Sequence, residues 1–275
     1  MKYLISVLLF SSLLLAEGFI NWQPPIVKAK EGSKQEHGGH GKRKAKQFQI
    51  YNSDSHASTS VVYILPTLEK RELKLKNSRI SLPRTGMENY HALVATQIAQ
   101  NSIDSTVRYI YSRGRPSKVS PTKITQFEKT RLEIEPILLP KEHSQYEGSN
   151  TYRFKLRFDG KPLAYHQGIT FTTSNGTKKT LESDEGGKFY ITMPNDFKNV
   201  KTGKRANRPA ELVLSASHFE KDITHTTSLA MPYYVNPLDY WFTQFYAVGL
   251  VIFGIALGIY LLRNLTKKKK KKKKV

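Results

Sequence analysis

The chain of 275 residues contains no cysteine. Disulfides, thiolate metal sites, iron–sulfur clusters, cysteine nucleophiles and lipid-modified cysteine anchors are therefore excluded. The motifs of several enzyme classes are also missing, because the sequence has no G-x-S-x-G elbow, no glycine-rich phosphate loop and no H-E-x-x-H pair. These absences predict a protein that is not an enzyme and that is held together by its core and strand pairing alone.

Acidic residues are scarce, with 22 Asp and Glu against 44 Lys and Arg, and the formal net charge is +22. An excess of this size indicates nucleic acid or an anionic membrane as a partner. Nine of the positive charges, Arg263 and the eight lysines 267–274, follow an apolar segment near the C-terminus. This position favours the lipid bilayer and argues against nucleic acid.

The N-terminal segment, residues 1–16, reads MKYLISVLLFSSLLLA. One lysine precedes an apolar run that ends in small residues, which is the pattern of a secretory signal peptide. Leu14 occupies a position where cleavage favours a smaller side chain, so an uncleaved anchor stays open as the alternative. Either interpretation predicts export of the chain that follows.

Residues 241–262 form a second apolar run, which no charged residue interrupts. About 20 residues of helix cross a hydrocarbon core, so the run predicts a transmembrane helix. Gly254 and Gly258 have the GxxxG spacing that allows close helix packing, although small residues tolerated in a membrane helix explain them equally well. Interfacial anchors are predicted at both ends of the helix, at Trp241, Phe242, Tyr246, Tyr260 and Arg263.

The polybasic tail, residues 263–275, should be disordered because like charges repel, and it should lie in the cytoplasm by the positive-inside rule. The predicted topology is a single-pass protein of a bacterial inner (plasma) membrane. The bulk of the chain then lies in the periplasm.

A flexible linker is predicted for residues 17–46, which are rich in Lys, Gly and His. His37 and His40 place two imidazoles three residues apart, and such a pair can chelate Ni²⁺, Co²⁺, Cu²⁺ or Zn²⁺ weakly. A solvated linker that happens to contain two histidines is the alternative. The neighbouring lysines and arginine would repel a cation.

From residue 47 onward, apolar and polar residues alternate in short runs bounded by turn residues, which indicates antiparallel β-structure. A break around Gly114 and Pro116 divides an N-terminal β-rich module, residues 47–116, from a second β-sandwich, residues 117–236. The predicted fold class is mainly β, with two antiparallel β-sandwich modules and one C-terminal transmembrane helix. Strands of the first module are predicted at 47–51, 59–65, 71–75, 90–97 and 105–112.

Hairpin turns punctuate the second module. Asp159-Gly160 and Asn175-Gly176 are turn dipeptides, and Gly186-Gly187 ends a third turn before Phe189. His218 and His225 flank a fourth short turn, so a hairpin there would bring the two imidazoles close together. This pair is a second candidate metal site, with half-buried structural histidines as the alternative.

Three stretches of the second module carry a resemblance to a known family: LEIEP at 132–136, YRFKLRFDGKPLA at 152–164 and TLESDEGGKF at 180–189. They resemble a transthyretin-like sandwich and, more closely, the bacterial periplasmic family of the nickel uptake substrate-specific transmembrane region. The similarity covers roughly residues 45–262. The chain departs from the family pattern at Ala164-Tyr165-His166, where a small residue is usual, and in lacking a histidine directly after the signal.

The resemblance implies a membrane-anchored accessory or binding protein of nickel or cobalt uptake, with an integral membrane partner such as a metal permease. A structural or assembly module that binds a membrane protein without metal is the first rival. An enzyme with a site between the modules is the second. The sequence alone leaves the three functions open.

Overall fold

A computed structural model describes residues 19–25, 46–51, 57–140 and 144–272. Among these residues the chain is mainly β, with several sheets and one apolar C-terminal helix, which confirms the predicted class at this level. The described residues include the α-helices α1 (Pro121–Gln126) and α2 (Pro237–Lys272) and a 3₁₀ turn at Lys204–Ala206. The strands are β1 (Asn21–Trp22), β2 (Gln47–Tyr51), β3 (Ser58–Ile64), β4 (Lys70–Glu72), β5 (Arg79–Ser81), β6 (Met87–Ile98), β7 (Ser102–Ser112), β8 (Arg115–Pro116), β9 (Leu132–Pro136), β10 (Tyr146–Glu147), β11 (Thr151–Phe158), β12 (Lys161–Pro162), β13 (Gln167–Thr173), β14 (Lys178–Glu182), β15 (Lys188–Thr192), β16 (Ala210–Glu220) and β17 (Ile223–Tyr234).

A ten-stranded sheet forms the centre of the molecule, in the order β14-β13-β16-β17-β7-β6-β3-β4 with β10 beside β17 and β8 beside β6. Strands β17 and β7 pair in parallel from Thr224 opposite Ser102 to Leu229 opposite Val107. This pairing joins the two halves of the chain in one sheet. The boundary predicted at residue 116 therefore separates segments of sequence that share a sheet.

Two smaller sheets cover the two faces of the central one, β1-β2-β5 on one side and β9, β11, β12 and β15 on the other. The alternation along β6 shows how each face is filled. Ala92 and Val94 belong to one core, and Leu93 and Ala95 to the other. Successive side chains of a strand point to opposite faces, so one apolar strand supplies both cores.

The structure corrects the start of the predicted flexible linker, because residues 19–25 are packed against the sheet. Trp22 is 1% exposed, and its Nε1 donates a hydrogen bond to the carbonyl oxygen of Thr106 at 3.3 Å. The Ser228 hydroxyl donates to the carbonyl oxygen of Ile20 at 2.6 Å. The low average hydrophobicity of the thirty-residue segment concealed two large apolar side chains, which suffice to bury a short strand. Residues 26–45 lie outside the described residues.

Helix α1 occupies the predicted break between the modules. The Ser120 hydroxyl accepts a hydrogen bond from the backbone nitrogen of Thr122, and Pro121 opens the first turn. Ser120 and Pro121 therefore start a helix just after the predicted break, since a serine cap followed by proline fits the first helical positions.

The C-terminal tail is the other correction, because α2 continues through the lysine run as far as Lys272. Disorder was predicted from charge repulsion alone. Extending a formed helix avoids the cost of nucleation, and lysine has a high helix propensity, so repulsion does not stop the helix at Arg263.

Candidate functional site

The two ends of the central sheet differ in their neighbours. Helix α2 begins at Pro237, three residues after the end of β17 at Tyr234, and we call this the helix end. The opposite end contains the turn between β16 and β17, and we call it the hairpin end. His225 precedes Tyr234 by nine residues. At about 3.3 Å per strand residue, the two ends are about 30 Å apart.

The hairpin end places the predicted histidine pair side by side. Lys221 and Asp222 form a two-residue turn with φ values of 50° and 66°, and His218 is the direct partner of His225 across the hairpin. Their rings pack on Phe158, with ring centroids 4.6 Å from it for His218 and 5.0 Å for His225. The ring of His166 lies 6.2 Å from that of His218. These three imidazoles are the histidine cluster.

Arg131 closes the histidine cluster from one side. Its Nε and Nη2 donate to the two carboxylate oxygens of Asp159 at 2.7 and 2.6 Å, and Nη2 also donates to Glu220 at 3.1 Å. Its Nη1 lies 3.5 Å from Nε2 of His225. The hydrogen bonds from Arg131 lower the pKa of Asp159. Burial first, and then the charge of Arg131, lower the pKa of His225.

The hairpin end offers a poor environment for a metal ion. Two of its carboxylates, Asp159 and Glu220, are bound to Arg131, and the guanidinium beside His225 repels a second cation. Across the described residues, no three His, Asp or Glu side chains are arranged to hold a metal ion. Structural zinc sites use four ligands. His37 and His40 lie outside the described residues.

A buried charged cluster, which was not predicted from the sequence, lies next to Arg131. Lys129 Nζ lies 2.5 Å from Glu133 Oε1, and both side chains are fully buried. Arg157 contacts Glu133 at 3.0 Å and Glu135 at 3.3 Å. Lys129 also donates to the carbonyl oxygen of Phe127 at 2.5 Å, so the cluster ties the end of α1 to β9. Burial lowers the pKa of Lys129 and raises that of Glu135.

The sequence did contain a signal for this cluster. Glu133 and Glu135 alternate with apolar residues in LEIEP, a pattern that normally places the acids in water. Every residue of β9 is buried. Burial of these acids requires two cations, Lys129 four residues before Glu133 and Arg157 from β11, and a short-range pattern does not reveal the second of them.

At the helix end a tyrosine-lined cleft of about 300 Å³ opens between the layers. Burial raises the pKa of Tyr90 to about 12 and that of Tyr109 well above its usual range. These hydroxyls therefore stay protonated near neutral pH and can donate hydrogen bonds. Arg108, which also lines the cleft, forms a bidentate pair with Glu211 at 2.7 and 2.9 Å.

The predicted turn residues lie in tight turns. Asp159 and Gly160 have φ values of 47° and 73° between β11 and β12, while Gly176 and Gly187 have φ values of 98° and 69°. A Cβ on Gly187 would lie 2.6 Å from the carbonyl oxygen of Leu156. Asn175 donates to a carboxylate oxygen of Asp196 at 3.1 Å, and the backbone nitrogen of Gly186 donates to the side chain of Asp184 at 2.9 Å. These residues shape the sheet and line no reactive site.

Helix α2 is the other candidate functional element. The segment Pro237–Arg263 is long and apolar enough to span a membrane, with a mean hydropathy of 2.4, and none of its most apolar window is buried in the domain. A Cβ on Gly254 or Gly258 would meet no described atom within 4 Å. Among the predicted anchors, Trp241, Tyr246 and Tyr260 are exposed, and Arg263 is exposed where the span ends, whereas the side chain of Phe242 lies outside the described part.

No family model matches the chain, and no curated protein matches it. Among solved structures, a tetra-tandem repeat in the extending region of a large adhesion protein is similar to 78% of this chain, at 9% sequence identity and a TM-score of 0.23. The chain spans about half the length of that structure, 49%. A TM-score this low supports no argument about fold or function.

Proposed function

We propose that the chain is a single-pass membrane protein whose β-domain lies outside the cytoplasm and binds an integral membrane partner without catalysis. The observation that supports this proposal is the helix Pro237–Arg263, which is apolar, unburied and directly continuous with a central strand. An exposed apolar surface of this length is unfavourable in water and is stable in lipid.

The orientation follows from charge. Arg263 and the lysines 267–274 lie at one end of the span, and basic residues flanking a span stay in the cytoplasm. The β-domain is also basic, but long folded domains are translocated largely regardless of their charge. We therefore propose that the domain lies in the periplasm, after a signal peptide at residues 1–16.

The proposed domain contains two sandwich modules that share one sheet, the second of them transthyretin-like. Two separate hydrophobic cores, one on each face of the central sheet, support this description. A shared sheet couples the modules, so the domain should unfold in one step rather than two.

The absence of cysteine makes topology directly testable. We would introduce single cysteines by Lys221→Cys in the exposed hairpin turn and by Val275→Cys in the tail. A membrane-impermeant maleimide should label Lys221→Cys in intact spheroplasts and Val275→Cys only after permeabilisation. The reverse pattern would contradict the orientation. A chain truncated after Asn236 that still stays with carbonate-washed membranes would contradict the anchor.

Partner binding through the helix is a separate test. Gly254→Leu with Gly258→Leu would fill one helix face, and Gly249→Leu, on another face and equally free of described contacts, is the matched control. The double substitution should reduce crosslinking of the full chain to its partner in membranes, and the control should not. A crosslinked metal permease would favour metal uptake, and any other membrane protein would favour assembly. Equal crosslinking by both variants would remove this face from the proposal.

Capture of a divalent transition metal is the second candidate, favoured by the direct pairing of His218 with His225. Calorimetric titration of the detergent-solubilised full chain with Ni²⁺, Co²⁺, Cu²⁺ and Zn²⁺ tests it. His218→Ala with His225→Ala, and separately His37→Ala with His40→Ala, locate any site. Arg131→Gln should strengthen binding if the hairpin end is the site, because it removes the adjacent cation. Binding that no histidine substitution alters would contradict both sites.

A further inference from the structure

Two groups of exposed basic side chains lie near the helix end. Five come from the loop before β16, and three follow β7. We call this set the basic rim, and it consists of Arg113, Arg115, Lys118, Lys198, Lys201, Lys204, Arg205 and Arg208, all of them exposed.

The pairing of the strands places the basic rim beside the start of α2. Ala210, directly after the basic loop, pairs with Tyr233 near the end of β17. Lys204 lines a small concavity together with Tyr234 and with Tyr240 from the first turn of α2. Arg113 follows β7, which runs parallel to β17 and ends at the same edge of the sheet.

The basic loop has a defined shape. The side chain of Asn207 accepts a hydrogen bond from the backbone nitrogen of Lys201 at 2.8 Å, and it donates to the carbonyl oxygens of Lys201 and Gly203 at 2.6 and 3.0 Å. A 3₁₀ turn, Lys204–Ala206, lies inside this clasp. Asn207, which carries no charge, therefore fixes the backbone of the loop that presents Lys201, Lys204 and Arg205.

Two nearby acidic groups, Asp196 and Glu211, are occupied by other partners. Asp196 accepts hydrogen bonds from the hydroxyls of Tyr233 at 2.5 Å and Thr177 at 2.7 Å, and these bonds outweigh the opposing effect of burial and lower its pKa. Glu211 is bound to both terminal nitrogens of Arg108. Neither carboxylate is available to the basic rim.

Two further acids lie near the rim but form no ion pair with it. Glu88 accepts a hydrogen bond from the hydroxyl of Tyr111 at 3.0 Å. Glu147 lines the same concavity as Lys204; burial raises its pKa, and the charge of Lys204 opposes that rise. In the described part of the chain, no carboxylate lies within ion-pair distance of a rim side chain.

We propose that the basic rim binds the headgroups of anionic phospholipids in the leaflet from which α2 enters the membrane. This inference rests on the proposed membrane anchoring, because α2 fixes the rim near the bilayer surface. Anionic lipids attract Lys and Arg that lie within a Debye length, about 8 Å at physiological salt. The helix would retain the domain in the membrane, and the rim would set how the domain sits on it.

The full chain can be tested in nanodiscs of phosphatidylcholine alone and of phosphatidylcholine mixed with phosphatidylglycerol. Amine acetylation read by mass spectrometry reports the exposure of each lysine. We expect Lys201 and Lys204 to react about threefold more slowly in the anionic discs, with the protection lost at high salt. Lys161 and Lys221, exposed at the hairpin end, should react equally in both discs. Soluble glycerol phosphate added to zwitterionic discs should give no protection.

Matched variants separate the rim from a general charge effect. Lys204→Glu with Arg205→Glu should abolish the protection of Lys201, whereas Lys161→Glu with Lys221→Glu should leave it intact. Asn207→Ala keeps every charge but removes the clasp, and it should weaken the protection. Protein that fails to enter nanodiscs would contradict the anchor. Protein that enters them but reacts equally in both lipids would overturn the basic rim and leave it as a surface for an acidic protein.

Discussion

The hairpin end and the helix end belong to the same sheet, yet they treat their charges in opposite ways. At the hairpin end Arg131 binds two carboxylates, and behind it Lys129 is buried against Glu133. At the helix end eight cations stand in solvent, while acids such as Asp196 are bound by neutral hydroxyls. Arg131 and Lys129 therefore serve the fold, as Arg108 does through Glu211 at the helix end, whereas the cations of the basic rim are available to a partner.

Two groups of cations contribute to the net positive charge of the chain. The tail carries one part of it beyond the predicted span, and the basic rim carries another at the opposite end of the same segment. In the proposed topology, both groups of cations lie near a membrane surface, one on each side. The hairpin end, about 30 Å from α2, lies beyond the range of the lipid charge at physiological salt.

The largest effect is expected from Glu133→Gln at the hairpin end. This change leaves Lys129 and Arg157 buried without their shared carboxylate, and breaking a buried pair costs about 3–5 kcal/mol. Urea unfolding of the full chain in micelles, followed by the fluorescence of buried Trp22, measures the loss. Glu220→Gln, which breaks an exposed pair of Arg131, should cost less than about 1 kcal/mol. Equal losses would remove the distinction between the inner and outer charges.

A smaller effect should appear as pH dependence, because a neutral imidazole is buried near each end. Burial lowers the pKa of His91 from 6.5 to about 4, and His225 shifts in the same direction. The unfolded chain then binds more protons between pH 6.5 and 4, so stability should fall as the pH falls through this window. The loss attributable to His91 approaches about 3 kcal/mol at pH 4.

His91→Gln tests this origin of the pH dependence. In neutral His91, Nδ1 donates to the carbonyl oxygen of Asn89 at 3.1 Å and Nε2 accepts from the hydroxyl of Thr85 at 2.9 Å, and glutamine preserves part of that bonding. The variant should be less stable at pH 7 but should show a flatter slope between pH 6.5 and 4. An unchanged slope would assign the pH dependence to other groups, such as His225.

The alternation of apolar residues predicted the strands well, because it records burial directly. The run 47–51 coincides with β2, and the run 59–65 matches β3 within one residue, whereas only the first two residues of 71–75 belong to β4. The hairpin that brings His218 opposite His225 was also foreseen, since its turn is short and local. Patterns with a range of a few residues suffice for features of this kind.

The remaining features depend on partners that are distant in the sequence. The parallel pairing of β17 with β7 joins residues more than a hundred positions apart, so no local pattern signals it. Arg131 lies 94 positions from His225 in the sequence, and its positive charge disfavours a metal ion at the histidine pair. The basic rim is likewise assembled from two loops that only the topology of the sheet brings together. Sequence therefore predicted the elements of each site better than the charges around them.

The turn that supports Asp159 at the hairpin end should show a modest effect. Gly160 has a φ of 73°, which an alanine adopts at a cost of about 1 kcal/mol, so Gly160→Ala should destabilise the chain by about that amount. Gly186→Ala is the matched control, because Gly186 lacks a positive φ and its added Cβ would make only ordinary contact with Asp184. Thermal unfolding should separate the two variants. Equal midpoints would show that the turn relaxes without cost.

The smallest effect on stability is expected from Lys204→Gln at the helix end, and for the comparison it is the most informative. Lys204 is exposed and forms no ion pair with a described residue, so its loss should change the free energy of unfolding by less than about 0.5 kcal/mol. Arg131→Gln, which removes a bidentate cation at the hairpin end, should cost more than Lys204→Gln. Comparing the free energies of unfolding of the two variants tests whether each cation stabilises the fold or is free to bind a partner. A loss above about 1 kcal/mol for Lys204→Gln would mean that the helix end also uses its cations for stability. The exposed cations of the basic rim would then no longer indicate lipid binding.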